Sequence, residues 1–125
     1  MRPLLSLALI LIGLSSSSPS LSSSLEDYNG PLAKKLVTEQ GAILIDVRSK
    51  GEFSQGSLPG AVHIPFQSID SQKNRLLKLT NGQKDKPIVV FCAVGGRASK
   101  AKKSLLKLGF TQVSNMGGLK DWPKK

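Results

Sequence analysis

A chain of 125 residues with one cysteine and one histidine can neither close an internal disulfide nor supply a zinc or iron–sulfur ligand set from those groups. Its net charge of +10 is one-sided: residues 71–125 hold thirteen Lys or Arg and two Asp, or +11, while residues 1–70 hold five basic and six acidic residues, or −1. One Tyr and one Trp, in a chain that reads as exported, argue against a nucleic-acid partner.

Met1-Arg2 carries one positive charge, and Leu4 to Leu14 is an apolar run of eleven residues broken only by Ser6 and Gly13. A serine-rich stretch follows from Ser15 to Ser24, with Pro19 inside it. This is the pattern of a secretory signal peptide over residues 1–24, cleaved between Ser18 and Leu25, with a periplasmic or secreted product. The run falls short of the roughly 20 apolar residues that span a bilayer. A retained N-terminal membrane anchor is the minor alternative. No cysteine follows the run, which excludes a lipid-anchored lipoprotein. Residues 25–125 then form one domain of about 100 residues, enough for a modest single core.

Asn29-Gly30-Pro31 predicts a helix start with Pro31 at the first helical position, and Leu32, Leu36 and Val37 recur at helical spacing until Gly41. Ala42 to Val47 is a continuous apolar run broken only by Asp46, as in a strand covered on both faces. Glu52 to Gln55 predicts one helical turn, and Leu58-Pro59-Gly60 a reverse turn. Ala61 to Ile64 reads as a short strand, Ile69 to Leu79 as a helix, and Asn81-Gly82 as a loop. Pro87 to Cys92 is the most strand-like run. A helix from Arg97 to Leu108 follows, with an apolar stripe of Ala98, Ala101, Leu105 and Leu108, and Gly109 as its cap. Gln112 to Met116 predicts the last strand, and Gly117-Gly118 leads into a turn around Trp122. Strands alternating with helices imply an α/β fold, a parallel sheet with helices on both faces. In such sheets the working site lies at the carboxyl ends of the strands, where Asp46 and Cys92 fall.

Cys92 ends a buried strand and is followed by Ala93-Val94-Gly95-Gly96 and a helix start. Loop amides and a helix N-terminus both favour thiolate over thiol. The competing reading is a small buried hydrophobe. An unpaired cysteine in an exported chain weighs further toward a reactive thiol.

Three segments resemble the rhodanese-like domain family. Ile45-Asp46-Val47-Arg48 with Glu52-Phe53, Gly56 and Leu58 to Pro65 is similar to its first signature; Cys92 to Arg97 resembles its active-site loop; Asn115 to Trp122 resembles its C-terminal signature. The likeness covers roughly residues 40–122. One departure is Gly56-Ser57-Leu58, where the family usually has glycine-histidine-isoleucine; lying away from the thiol, it is expected to leave the chemistry unaffected. Together with the export signal, the chain is similar to small periplasmic single-domain thiosulfate sulfurtransferases.

The resemblance implies a rhodanese-like three-layer fold and sulfur transfer without a metal or other cofactor. Cys92 takes a sulfane sulfur from thiosulfate or a similar donor, becomes a persulfide, and passes the sulfur to a thiol or to cyanide. Ala93, Val94, Gly95, Gly96 and Arg97 would form the substrate-binding loop; the two glycines let it curl, and a β-carbon at either would block the curl or the approach. Arg97 either binds the donor's oxygens or ties the loop to a carboxylate, Asp46 or Glu52. Asp46 is the expected loop-orienting carboxylate, against a plain strand-end residue. Arg48 and Glu52 are expected near the loop, or simply as a surface pair with each other. His63 and Trp122 read as structural, Trp122 as a hydrophobic lid.

Lys100, Lys103 and Lys107 share one face of the helix after the loop and would steer anions toward the thiol; the alternatives are solubility or weak adhesion to an anionic membrane surface. The expected partners are thus a small anionic donor and a thiol or cyanide acceptor, with the chain a monomer. Two rival functions remain. A cysteine phosphatase or arsenate reductase would place five residues between cysteine and arginine, where this chain has four. A non-enzymatic rhodanese-like module would carry sulfur or bind a partner without turnover.

Overall fold

The computed structural model describes residues 24–125; the expected signal peptide, apart from Ser24, lies outside the described residues. The first helix, α1 (Gly30–Gln40), starts where Asn29 accepts the Leu32 amide at 2.9 Å and ends at Gly41 in left-handed geometry (φ 69°). Pro31 is its second residue, one place later than expected. Strand β1 (Ile43–Asp46) follows, then α2 (Lys50–Ser54). That helix begins two residues before Glu52 because Ser49 and Glu52 form a reciprocal cap, each side chain bonded to the other's backbone N–H.

Strand β2 (Val62–His63) leads into two short 3-10 turns, Phe66–Ser68 and Asp70–Gln72, and only then into α3 (Lys73–Leu79). The single helix expected from Ile69 to Leu79 is therefore broken. Between Ile69 and Leu76, both fully buried, every side chain is polar, so no apolar stripe holds a continuous helix against the sheet. Strand β3 (Ile88–Cys92) is buried at all five positions. Helix α4 (Gly96–Lys107) buries Ala98, Ala101 and Leu105. Strand β4 (Val113–Gly118) runs two residues beyond the expected Met116, because Gly117 and Gly118 pair with Phe91 and Cys92.

The four strands lie in the order β2-β1-β3-β4, all parallel. Side chains alternate across them, so the core falls in two halves. Ile45, Val47, Ile88, Val90 and Cys92 pack with Leu76 of α3 and Ala98, Ala101 and Leu105 of α4. Leu44, Val89, Phe91 and Met116 pack with Ala33 and Leu36 of α1, with Trp122 partly buried against the same cluster. Helices thus cover both faces, giving three layers. A register shift opposite Val90 and Phe91 inserts Met116 as an extra residue in β4, a bulge beside the end of β3. Among the described residues, no helix is long and apolar enough to cross a membrane.

Candidate active site

Cys92 is the last residue of β3 and only 1% exposed. The chain then turns through Gly95, whose φ of 118° is a conformation that side chains rarely adopt, and enters α4. This turn brings the Gly95 N–H to 2.9 Å from the Cys92 sulfur. Burial pushes the thiol pKa up, but the backbone N–H groups of Ala98, Gly95, Val94 and Arg97 outweigh it and hold the value below that of an ordinary cysteine. The sulfur is the centre of an amide cradle. Ala93 and Val94 contribute no side chain to it: both are exposed, Val94 by 81%. A β-carbon at Gly118 would strike the Ala93 carbonyl, so β4 must present glycine there for the loop to lie against it.

The expectation that both loop glycines are conformationally required is corrected for Gly96. Gly96 is the first residue of α4, its φ is not in the left-handed region, and a β-carbon there would meet nothing within 4 Å. Gly95 alone carries that requirement.

Of the two carboxylates expected for Arg97 the fold selects Glu52, and Arg48 takes a different partner from the one expected. Arg97 meets Glu52 with both of its terminal nitrogens, Nη1 to Oε1 at 2.7 Å and Nη2 to Oε2 at 3.0 Å. Those bonds, with the Ser49 N–H and hydroxyl, hold the Glu52 carboxyl well below the usual carboxylate range. Arg97 is raised, chiefly by Glu52 and against burial, with a smaller contribution from Cys92 beside it. Asp46 does not reach Arg97. Fully buried, it accepts Arg48 Nε at 3.0 Å, Arg48 Nη2 at 2.7 Å, the Arg48 N–H at 2.9 Å and the Ser57 hydroxyl at 2.7 Å. Burial raises the Asp46 pKa, yet those partners bring it below the ordinary value. Arg48 therefore pairs with Asp46 and not with Glu52. Both pairings follow from the fold: α2 stands Glu52 over the start of α4, while Asp46 points into the turn that Arg48 and Ser57 close. Ser57, at the departure from the family's usual pattern, is thus a member of the Asp46 network.

His63 stacks on Phe53 with ring centroids 4.7 Å apart, and its Nε2 donates to the Arg48 carbonyl at 2.7 Å. Lys100, Lys103 and Lys107 are exposed on α4, and Lys100 lies 5.7 Å from the centre of the Phe66 ring. At 1.5 Å per residue they stand roughly 6, 10 and 16 Å along the axis from Gly96. Lys102 faces another way and pairs with Asp27 at 2.7 Å. Two residues at the site had no role assigned from sequence. Asn115 donates through Nδ2 to the Gly95 carbonyl at 3.1 Å, and Tyr28 lies against Gly95 and Gly117. Asn115 stands inside the C-terminal signature, which was a signal; Tyr28 lies before the first helix and outside every motif.

Comparison with known proteins agrees with this geometry. Residues 30–125 match the Rhodanese-like domain family. The chain is 35% identical over 77 residues to Thiosulfate sulfurtransferase PspE of Escherichia coli, covering 62% of this chain and 70% of that protein. It is 31% identical over 104 residues to the human Thiosulfate:glutathione sulfurtransferase, covering 76% of this chain and 90% of the relative. The solved structure of a human single-domain sulfurtransferase superposes with a TM-score of 0.64 at 25% identity, over 81% of this chain and 95% of that one. Other relatives are longer: the chain spans 23% of the Adenylyltransferase and sulfurtransferase UBA4 of Meyerozyma guilliermondii and 47% of the Putative sulfur carrier protein YrkF of Bacillus subtilis. By its matched residues, its parallel three-layer sheet and its cysteine loop, the chain belongs to the rhodanese-like domain family.

Proposed function

We propose that this protein is a sulfurtransferase that takes a sulfane sulfur from thiosulfate, or a donor of the same charge and shape, onto Cys92 and hands it to a thiol. The observation that carries the reading is the cradle of backbone N–H groups on the Cys92 sulfur, with the Gly95 amide at 2.9 Å. These amides favour the thiolate, which as the attacking form needs no general base. It attacks the outer sulfur of thiosulfate; the new sulfur–sulfur bond forms as the old one breaks, and sulfite leaves with the electron pair. The persulfide's outer sulfur is then attacked by the acceptor's thiolate, and Cys92 departs as thiolate, ready for the next donor. The two half-reactions predict ping-pong kinetics.

Arg97 serves this site in two ways. Its bidentate pair with Glu52 fixes the start of α4 to α2, and its charge beside Cys92 favours the thiolate and an anionic donor. The cradle closes on the sulfur itself, which suits transfer of one sulfur atom better than the enclosure of a tetrahedral oxyanion. The exposed lysines of α4 add a positive field that draws anions in. The reading includes an exported protein, in the periplasm or outside the cell, acting as a monomer.

Steady-state release of sulfite from thiosulfate in the presence of a thiol tests this function. Turnover that depends on both substrates is expected. Resemblance to a putative sulfur carrier gives the rival outcome: one sulfur loaded per chain, with no turnover when the thiol is added.

A further inference from the structure

Strand β4 is an edge of the sheet, and the segment 24–28 runs along it. Ser24 donates to the Val113 carbonyl at 2.8 Å, Ser114 to the Glu26 carbonyl at 2.7 Å, and the Asn115 N–H to Asp27 at 2.9 Å. Lys102 of α4 holds the same Asp27 at 2.7 Å. The segment ends at Tyr28, whose N–H donates to the Asn115 carbonyl at 2.7 Å. Tyr28 has a φ of 54°, a left-handed conformation that costs energy for an aromatic residue, and its side chain stays 63% exposed. Neither its exposure nor its backbone is explained by the core.

What the ring touches explains both. A β-carbon on Gly95 would lie 2.9 Å from Tyr28 Cε1, and one on Gly117 would lie 3.2 Å from Tyr28 Cδ1. The ring therefore closes over the backbone of the cysteine loop and of the β4 bulge together. Beneath it, the Asn115 carboxamide is buried and bridges the same two pieces of chain. Its Nδ2 donates to the Gly95 carbonyl at 3.1 Å, and its Oδ1 accepts the Gly117 N–H at 2.8 Å. The Gly95 carbonyl takes a second bond from the Ser99 N–H at 2.9 Å. Gly95 is thus held on its carbonyl side from two directions and covered on its α-carbon, while its N–H is left to face the sulfur.

We propose that Tyr28 and Asn115 are positioning residues of the active site: they hold Gly95 so that its N–H stays on the Cys92 sulfur, which makes the strap 25–28 part of the catalytic apparatus. The proposal rests on the reading of Cys92 as a sulfur-transfer nucleophile. A glycine has no side chain to fix its own orientation, so a loop built on one needs such bracing from outside. The sequence segment that supplies it lies more than sixty residues before the cysteine.

The test is the rate of Cys92 alkylation by iodoacetamide as a function of pH, for the wild type and for Tyr28→Ala, Tyr28→Phe and Asn115→Ala, with thermal unfolding recorded for each. Tyr28 is exposed, so Tyr28→Ala is expected to fold with little loss of stability. Its alkylation midpoint should move up, lowering the rate about threefold or more at acidic pH while the limiting rate at alkaline pH is unchanged. Tyr28→Phe keeps the ring but loses the hydroxyl that accepts from Asn115 Nδ2 at 3.4 Å, so it should shift less than Tyr28→Ala, and Asn115→Ala should shift further than either. A midpoint for Tyr28→Ala equal to the wild type's would overturn the proposal. Alkylation needs no thiosulfate, so a wild type that alkylates as expected but releases no sulfite would count against the sulfurtransferase reading and leave the positioning role standing.

Discussion

Gly95 and Gly96 are adjacent, yet the structure predicts opposite responses to alanine. At Gly95 the φ of 118° lies in a region that alanine populates poorly, and holding it there costs about 1–3 kcal/mol. The new methyl would also meet Tyr28 Cε1 at 2.9 Å, so the ring that closes over Gly95 must be displaced as well. At Gly96 the backbone is helical and the methyl enters open space, so Gly96→Ala should be neutral or stabilising by up to about 1 kcal/mol through a less flexible unfolded chain. The two variants should differ by about 1–4 kcal/mol. Urea unfolding reads this as a lower midpoint for Gly95→Ala at unchanged slope. Gly95→Ala should also alkylate more slowly at acidic pH, since the amide nearest the sulfur is displaced. Equal stabilities for the two variants would refute the assignment of the turn to Gly95.

Asp46→Asn breaks a fully buried carboxylate away from Arg48 and should cost about 3–5 kcal/mol in urea unfolding; a loss below about 1 kcal/mol would contradict it. Because the folded-state pKa of Asp46 is depressed, that stabilisation is complete above its ordinary value of 3.8 and is lost as pH falls through the lower folded value. Arg97→Lys should slow sulfite release at least about tenfold, since lysine cannot make the two-pronged contact to Glu52, while stability changes by less than about 1 kcal/mol for so exposed a pair; near-normal release would remove Arg97 from the account. For steering, kcat/KM for thiosulfate should fall with ionic strength, and Lys100→Gln should flatten that slope more than Lys107→Gln. Lys107 stands roughly 16 Å along α4, about two screening lengths at 0.15 M salt. Equal slopes in the two variants would assign these lysines to solubility.

Where one residue type admits one physical solution, the sequence was legible. The buried run at β3, the glycine stops and the glycine pair after Cys92 placed the strands, α1, α4 and the thiol at the sheet's carboxyl end. The Ile69–Leu79 segment was misjudged because leucines clustered at its end, Leu76, Leu77 and Leu79, suggested a longer helix than the polar stretch before them supports. Charge pairing was the harder problem. Asp46, Arg48, Glu52 and Arg97 allow several pairings by type, and only the fold decides that Asp46 takes Arg48 and Ser57 while Glu52 takes Arg97. The need for glycine at 95 but not at 96 is a matter of dihedral angle, which two identical letters cannot distinguish. Tyr28 was invisible for another reason: its partners, Gly95, Asn115 and Gly117, are all more than sixty positions away in the chain.

The measurement that bears most directly on the central claim is the intact mass of the purified protein after brief exposure to thiosulfate. The account predicts a gain of one sulfur atom on Cys92, removed by cyanide or dithiothreitol, and no gain for Cys92→Ser, which should fold normally because the serine replaces a sulfur at a single buried position. A wild-type mass that stays unchanged under thiosulfate, or a Cys92→Ser variant that still gains the sulfur or still yields thiocyanate from cyanide, would contradict it.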